Sequence, residues 1–226
     1  MHPFVSAQAR SFTLQGRNFT FSGANCYYLP YSTPAEVDRL LDNASRIGLN
    51  VIRTWAFLDE EKNGVRFQSW DPGSNTCCAH HGADGLERLD YLIAAAARRN
   101  LKLLLPLLNN WNDFGGVQRY CNWLGLESHG DFYESAKARA AYRTWCGELI
   151  GRTNSITGVA YRDEPAILGW ELANEARCAH GVSVLTTWIA EMSEHLKRLA
   201  PNHLVGLGDE GLMNRLLARD WLYDGS

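Results

Sequence analysis

Two carboxylates and an amide lie close together in Trp170-Glu171-Leu172-Ala173-Asn174-Glu175-Ala176, at the end of an apolar run that begins at Ile167. A carboxylate at the end of a buried strand is costly unless a cation or a hydrogen-bond donor compensates it. For Glu171 the expected partner is Arg53, which closes another apolar run, Val51-Ile52. Glu175 sits one step farther into the following loop, and there catalysis outweighs a structural ion pair. A carboxyl at the mouth of a largely apolar cleft is the group such sites use as a general acid. A second cluster, Cys77-Cys78 with His80-His81, has neither a CxxC pair nor histidines at zinc-finger spacing. Neither a metal nor another cofactor is expected.

The composition narrows the partners. The 226 residues are 46% hydrophobic and 21% charged, which excludes low-complexity and disordered classes. Lysine and arginine number 22 against 25 acidic residues, a net charge of −3, so no basic excess grips nucleic acid or an anionic membrane. Leu103 to Leu108, an unbroken apolar stretch, is about a third of a bilayer span. Six cysteines (Cys26, Cys77, Cys78, Cys121, Cys146 and Cys178) fit three disulfides or free buried thiols, and the sequence leaves both open. The opening MHPFVSAQAR has no apolar signal core. Eight Trp, nine Tyr and eight Phe are the outlier: either they pack the core, or some pave a cleft that stacks against sugars.

These side chains need elements to position them. Phe12 and Leu14, then Gly16-Arg17-Asn18, then Phe19 and Phe21, read as a β-hairpin. A strand over Phe21–Asn25 precedes a helix capped by Thr33, with Pro34 in its first turn, Val37, Leu40, Leu41 and Ile47 as its apolar positions, and Gly48 at its close. Further strands are expected over Leu49–Trp55, Leu101–Leu108, Ile167–Leu172 and Leu204–Gly208, and helices over Leu86–Arg99, Ala136–Arg152 and Val184–Leu199. Strand and helix alternate without a linker, so residues 1–226 read as a single α/β domain with a parallel sheet. No GxGxxG or GxxxxGK[ST] occurs, and the long polar loops follow strands, which favours a (β/α)₈ TIM barrel over an open nucleotide-binding sheet. Five strand starts use up the chain, whereas a complete barrel takes roughly 250 residues. Only the first five βα units are therefore expected, with Leu103, Leu105, Leu107, Ile167 and Val205 filling the barrel interior.

Trp-Glu-Leu-x-Asn-Glu at a strand end resembles the signature of glycoside hydrolase family 5. The likeness to that family's endo-β-1,4-mannanases extends through Val51-Ile52-Arg53-Thr54-Trp55-Ala56-Phe57, Asn109-Asn110-Trp111-Asn112-Asp113-Phe114-Gly115-Gly116 and Thr157–Pro165. It continues in Asn174-Glu175-Ala176-Arg177-Cys178 and Pro201–Gly211. The resemblance implies retaining hydrolysis of internal β-1,4-mannosidic bonds in mannan, outside the cell. A cellulase of the same family is the runner-up. It further implies that Glu175 is the acid/base, that Asn174 binds the sugar 2-hydroxyl, and that Arg53 orients the nucleophile. Arg177 would contact sugar on the leaving-group side, and Trp55 and Trp111 would be stacking platforms. Trp55 and Arg177 are expected exposed in one groove with Glu175.

The chain departs from the family pattern twice. Ala176 replaces the proline usual after the acid/base, which loosens a turn without removing a catalytic group. The family's nucleophile lies on a seventh strand; Asp209 and Glu210 belong to the fifth-strand motif and are not given that role. Hydrolysis is thus expected to require further sequence or a second chain that completes the barrel, the alternative being a non-catalytic sugar-binding protein.

Overall fold

A computed structural model describes residues 3–210. The chain opens with an antiparallel meander, β1 (Val5–Gln8), β2 (Ser11–Leu14) and β3 (Arg17–Asn18). The predicted hairpin is present as β2–β3, but Arg17 and Asn18, expected in the turn, form its second strand, and Phe19 and Phe21 lie beyond it. The turn is made by Gln15 (φ 53°) and Gly16 (φ 78°), the left-handed pair that matches strand twist. Strand β1 joins it with Val5 opposite Leu14.

Next come β4 (Gly23–Asn25), α1 (Pro34–Arg46) and β5 (Val51–Arg53). The Thr33 hydroxyl accepts from the Glu36 N–H while the Glu36 carboxylate accepts from the Thr33 N–H, a reciprocal cap that fixes the start of α1. Val37 and Leu41 face the core as expected, but Ile47 is 71% exposed, beyond the last helical turn. The long loop after β5 folds into a hairpin, β6 (Gln68–Asp71) and β7 (Thr76–Ala79), before α2 (Glu87–Arg98) and β8 (Lys102–Pro106). Two further helices, α3 (Gly116–Leu124) and α4 (Asp131–Glu134), fill the next loop. Then follow α5 (Ala136–Gly151), β9 (Ile167–Glu171), α6 (Val182–Leu199) and β10 (Leu204–Gly206).

The main sheet has five strands, all parallel, in the order β10-β9-β8-β5-β4. Each strand joins beside its predecessor, so the order never reverses, as it would at the switch point of a doubly wound sheet. Among the described residues the sheet is not closed, and β4 and β10 are its edges.

Both faces of this sheet are apolar, and the predicted interior set lies on the wrong one. Leu103, Leu105, Leu107 and Ile167 belong to the large core shared with the helices, together with Leu89, Trp145 and Trp188. The other face carries Val51, Leu104, Leu168 and Leu204, packed against Val5, Phe12 and Phe19 of the meander. They line a cavity of about 290 Å³, which Val205 borders from the edge strand while also packing toward the helices. Strand alternation carries Arg53 to the same face as Val51. Glu171 pairs in register with Gly206, two residues beyond Leu204, and so shares it.

The aromatic surplus is mainly core. Trp145, Trp170, Trp188, Tyr120, Tyr133, Tyr142 and Phe132 are fully buried. Trp70, Trp111 and Trp123 are half-buried; Trp221 lies outside the described residues, as does Gly211 of the fifth-strand motif. No described helix is long and apolar enough to cross a membrane. All six cysteines are free thiols.

Candidate active site

The loops at the C-terminal ends of β5, β8, β9 and β10 converge on one cluster. At its centre Arg53 donates from Nε to Glu171 Oε2 at 2.8 Å and from Nη2 to Asn174 Oδ1 at 2.9 Å. A longer contact of 3.4 Å reaches Asn25 Oδ1, at the end of β4. The Arg53–Glu171 pair is as expected. Burial outweighs the guanidinium and pushes the Glu171 carboxyl above its ordinary value.

Asn174 is fixed on every side. Its N–H donates to Leu108 O at 2.8 Å, its carbonyl accepts from the Asn110 N–H at 3.0 Å, and Nδ2 donates to Asn109 Oδ1 at 3.0 Å. Asn109 and Asn110 appear in the sequence only as part of a longer motif. They are the latch between the β8 and β9 loops, and Asn110 Oδ1 also accepts the Arg177 N–H at 3.0 Å.

Glu175 occupies the left-handed region, φ 55°, with its N–H bonded to Gly208 O at 2.9 Å. A side-chain-bearing residue is held there only by surrounding structure that over-determines it. Its Oε2 accepts the Trp111 indole N–H at 2.5 Å. Gly208 has room for no side chain: a Cβ would stand 2.1 Å from Ala173 O and 3.0 Å from Glu171 Oε2.

Two expectations of exposure fail. Trp55 is 6% exposed, because Tyr27 from the β4 loop covers it at 5.8 Å and Phe57 and the Arg53 guanidinium pack at 5.2 and 5.1 Å. Arg177 is 7% exposed; its guanidinium lies 5.0 Å from the Trp111 ring centre and pairs with Glu210 at 2.9 Å. Arg53, Trp111 and Glu175 are the half-exposed members of the cluster. Tyr27 and Tyr28, which sequence reasoning missed, are 42% and 40% exposed.

A buried carboxylate, Asp59, anchors the Trp111 loop from beneath. Its Oδ1 accepts the Gln68 amide at 2.6 Å and its Oδ2 the Gly116 N–H at 3.1 Å, while its own N–H donates to Phe114 O at 2.9 Å. Desolvation pushes this carboxyl up to about 7. The histidines of the second cluster have other partners, His80 meeting Ser69 Oγ and His81 facing Arg152. Among the described residues no group of three potential ligands is placed to hold a metal.

Comparison with known proteins converges on one group. A family model described as β-mannosidase-like, of glycoside hydrolase family 5, matches residues 2–222. Mannan endo-1,4-β-mannosidase F of Aspergillus fumigatus is 41% identical over 215 residues, covering 92% of this chain and 47% of that protein. Probable mannan endo-1,4-β-mannosidase C of Aspergillus terreus is 36% identical, covering 99% of this chain and 59% of that protein. The chain thus spans about half the length of the curated relatives it matches. Among solved structures, the endo-1,4-β-mannanase from Rhizomucor miehei superposes with a TM-score of 0.92 at 39% identity, over 98% of this chain and 65% of that one. The endo-β-1,4-mannanase from Thermotoga petrophila gives 0.82 at 38% identity, over 93% of this chain and 48% of that one.

Proposed function

The chain belongs to the β-mannosidase-like group of glycoside hydrolase family 5, and from that membership we propose that it cleaves internal β-1,4-mannosidic bonds of mannan-type polysaccharides by a retaining double displacement. One observation carries the assignment of chemistry: Glu175, in the loop that follows buried strand β9, has its carboxylate held by an indole N–H at 2.5 Å and its neighbour Asn174 locked in place. In this reading Glu175 protonates the glycosidic oxygen and then, as its conjugate base, activates the water that releases the product. Asn174 offers its amide to the sugar 2-hydroxyl. Trp111 orients Glu175 and presents the edge of the cleft.

The buried positions of Trp55 and Arg177 change their parts. Trp55 supports Arg53 and Tyr27 from below, and Arg177 holds Trp111 from the leaving-group side. The second carboxylate of the mechanism is assigned to no described residue. Glu171 is compensated by Arg53 and Glu210 by Arg177, and neither matches the family's nucleophile. Arg53 is read as the cation that keeps that nucleophile ionised.

We further read residues 1–226 as one catalytic domain and the sheet as the first five strands of a (β/α)₈ barrel. The sequential strand order supports this, as does the likeness to an endo-mannanase of solved structure. Further sequence or a second chain would complete the barrel. A polymeric substrate too large to enter a cell places the reaction outside it. Nucleic acid and membranes have no part in it.

Glu175→Gln tests the assignment in a form of the protein that hydrolyses mannan. The expected loss is on the order of 10²–10⁴-fold with an unchanged melting temperature; near-parental hydrolysis would refute it. Proton NMR of the first product should show the β-anomer, as retention requires. Mannan binding without hydrolysis in a form whose barrel is complete would instead favour the sugar-binding alternative.

A further inference from the structure

Away from Glu175, the β6–β7 hairpin and α5 enclose a small cleft of about 170 Å³. It shares no residue with the cluster around Arg53 and Glu175. Its inner wall is Trp70. That indole is stacked on Trp123 at 6.2 Å and 17°, and Trp123 in turn packs on buried Tyr120 at 5.2 Å. The ring is therefore half-exposed yet immobilised from behind, so a ligand meets it without reorganising it. The facing wall is α5, where Ala140 and Ala141 leave clearance opposite the ring.

The rim is polar and uncommitted. Asn75, Thr76 and Lys137 line the cleft, and none of their side chains bonds another described protein group. No carboxylate lines it, so Lys137 has no anionic partner there. The hairpin tip that carries Asn75 and Thr76 is pre-set. Asp71 accepts from the Gly73 and Ser74 N–H groups and from the Ser74 hydroxyl, and Asn75 adopts the left-handed region at φ 53°.

A rigid flat ring on one side with convergent, unpaired hydrogen-bonding groups at the edge suits a ligand that is apolar on its flat face and polar at its rim. A pyranose is that ligand: its axial C–H face stacks on an indole and its equatorial hydroxyls point sideways. The cleft is smaller than the roughly 300–1,000 Å³ of drug-sized sites, so it suits a small unit of a chain, such as a single sugar ring, rather than a whole drug-sized ligand. We propose that Trp70, Asn75, Thr76 and Lys137 form a second carbohydrate-binding site that holds a neutral polysaccharide chain on the outer surface, apart from the cleavage cluster. The identity of that polysaccharide as mannan rests on the function proposed from Glu175. By tethering a second stretch of chain, the site raises the effective concentration of substrate near the first.

Native electrophoresis of the 226-residue chain through gels containing soluble galactomannan tests it without any need for hydrolysis. The parent should be retarded, and Trp70→Ala should weaken binding by roughly five-fold or more. Because Trp70→Ala also removes a packing ring, Thr76→Ala/Lys137→Ala is run beside it, and it too should lose retardation while melting as the parent does. Trp111→Ala reports on the other cluster. Retardation intact in either cleft variant would overturn this site, whatever Trp111→Ala does, and its loss in Trp111→Ala would then leave the Glu175 reading standing. A parent chain that is not retarded at all, or a loss confined to Trp70→Ala, would also overturn it. Retardation that survives in Trp111→Ala and disappears in both cleft variants establishes it independently of Glu175.

Discussion

The indole of Trp111 works in two directions, giving its N–H to Glu175 and its face to Arg177, which holds Glu210. Trp111→Phe keeps an aromatic face and removes the donor. The expected result is a loss of at least roughly tenfold in mannan hydrolysis at unchanged melting temperature, the scale of a hydrogen bond to a charged group; an unchanged rate would contradict the orienting role. Asp59 makes a separate prediction in pH. Its ordinary value is 3.8 and burial raises it to about 7. Between those limits the folded chain keeps a proton that the unfolded chain has released, so this group's contribution to stability falls as pH rises through the window. Asp59→Asn removes that titration. Melting curves at pH 5 and pH 8 should show the variant gaining on the parent at the higher pH, and a constant difference would refute the assignment. Residue pairs such as Arg53–Glu171 were legible in the sequence, because a buried carboxylate demands a cation and few cations end buried strands. The burial of Trp55 was not, since its cover, Tyr27, comes from another loop.

Among the elements, the start of α1 was readable to the residue because its signal is local, Thr33 as the cap and Pro34 in the first turn, whereas its end falls before Ile47. Thr33→Ala should cost about 1 kcal/mol, measured by urea unfolding, and an unchanged midpoint would show the reciprocal cap to be idle. The β6–β7 hairpin was not readable, for the opposite reason. Gln68 is held by Asp59 and Tyr120, and Tyr120 is 52 residues away in sequence. Strand parity failed because the sheet buries both faces, leaving no alternation to read. Strand β10 carries its own acid sensitivity through His203, next to its first residue. Trp170 donates to Nδ1 at 2.9 Å, so the ring is neutral with its proton on Nε2, facing Glu164 O at 3.1 Å. Burial lowers its pKa to about 4 from 6.5. The stability it contributes is present above pH 6.5 and lost as pH falls toward 4. Protection of the β10 amides, corrected for the intrinsic pH dependence of exchange, should fall over that interval in the parent and not in His203→Asn; an equal fall in both would place the titration elsewhere.

For the molecule as a whole, the meander is a floor. Phe12 and Phe19 close one end of the cavity against Val51, Leu104, Leu168 and Leu204. Replacing both by Ser should expose apolar surface at roughly 25 cal/mol per Å², and so raise the fluorescence of an apolar-surface dye and lower the melting temperature by several degrees. No change in either would mean the floor is dispensable. The α/β class and the order of the five strands were legible from the alternation of periods along the chain. How the loops interlock above the sheet was not, because the side chains of Asn109 and Asn110 and the backbone of Gly208 bond groups on other loops, contacts that leave no periodic pattern.

The left-handed backbone at Glu175 has an outcome for directed evolution. An L-residue at φ 55° gives up on the order of 1 kcal/mol that glycine would not. A library selected for heat resistance alone would drift toward glycine at position 175 and would discard the proposed catalyst as a thermal liability. Glu175→Gly should melt at least as high as the parent despite losing the Trp111 hydrogen bond, and a melting point several degrees lower would show that the surrounding loops hold the turn without strain.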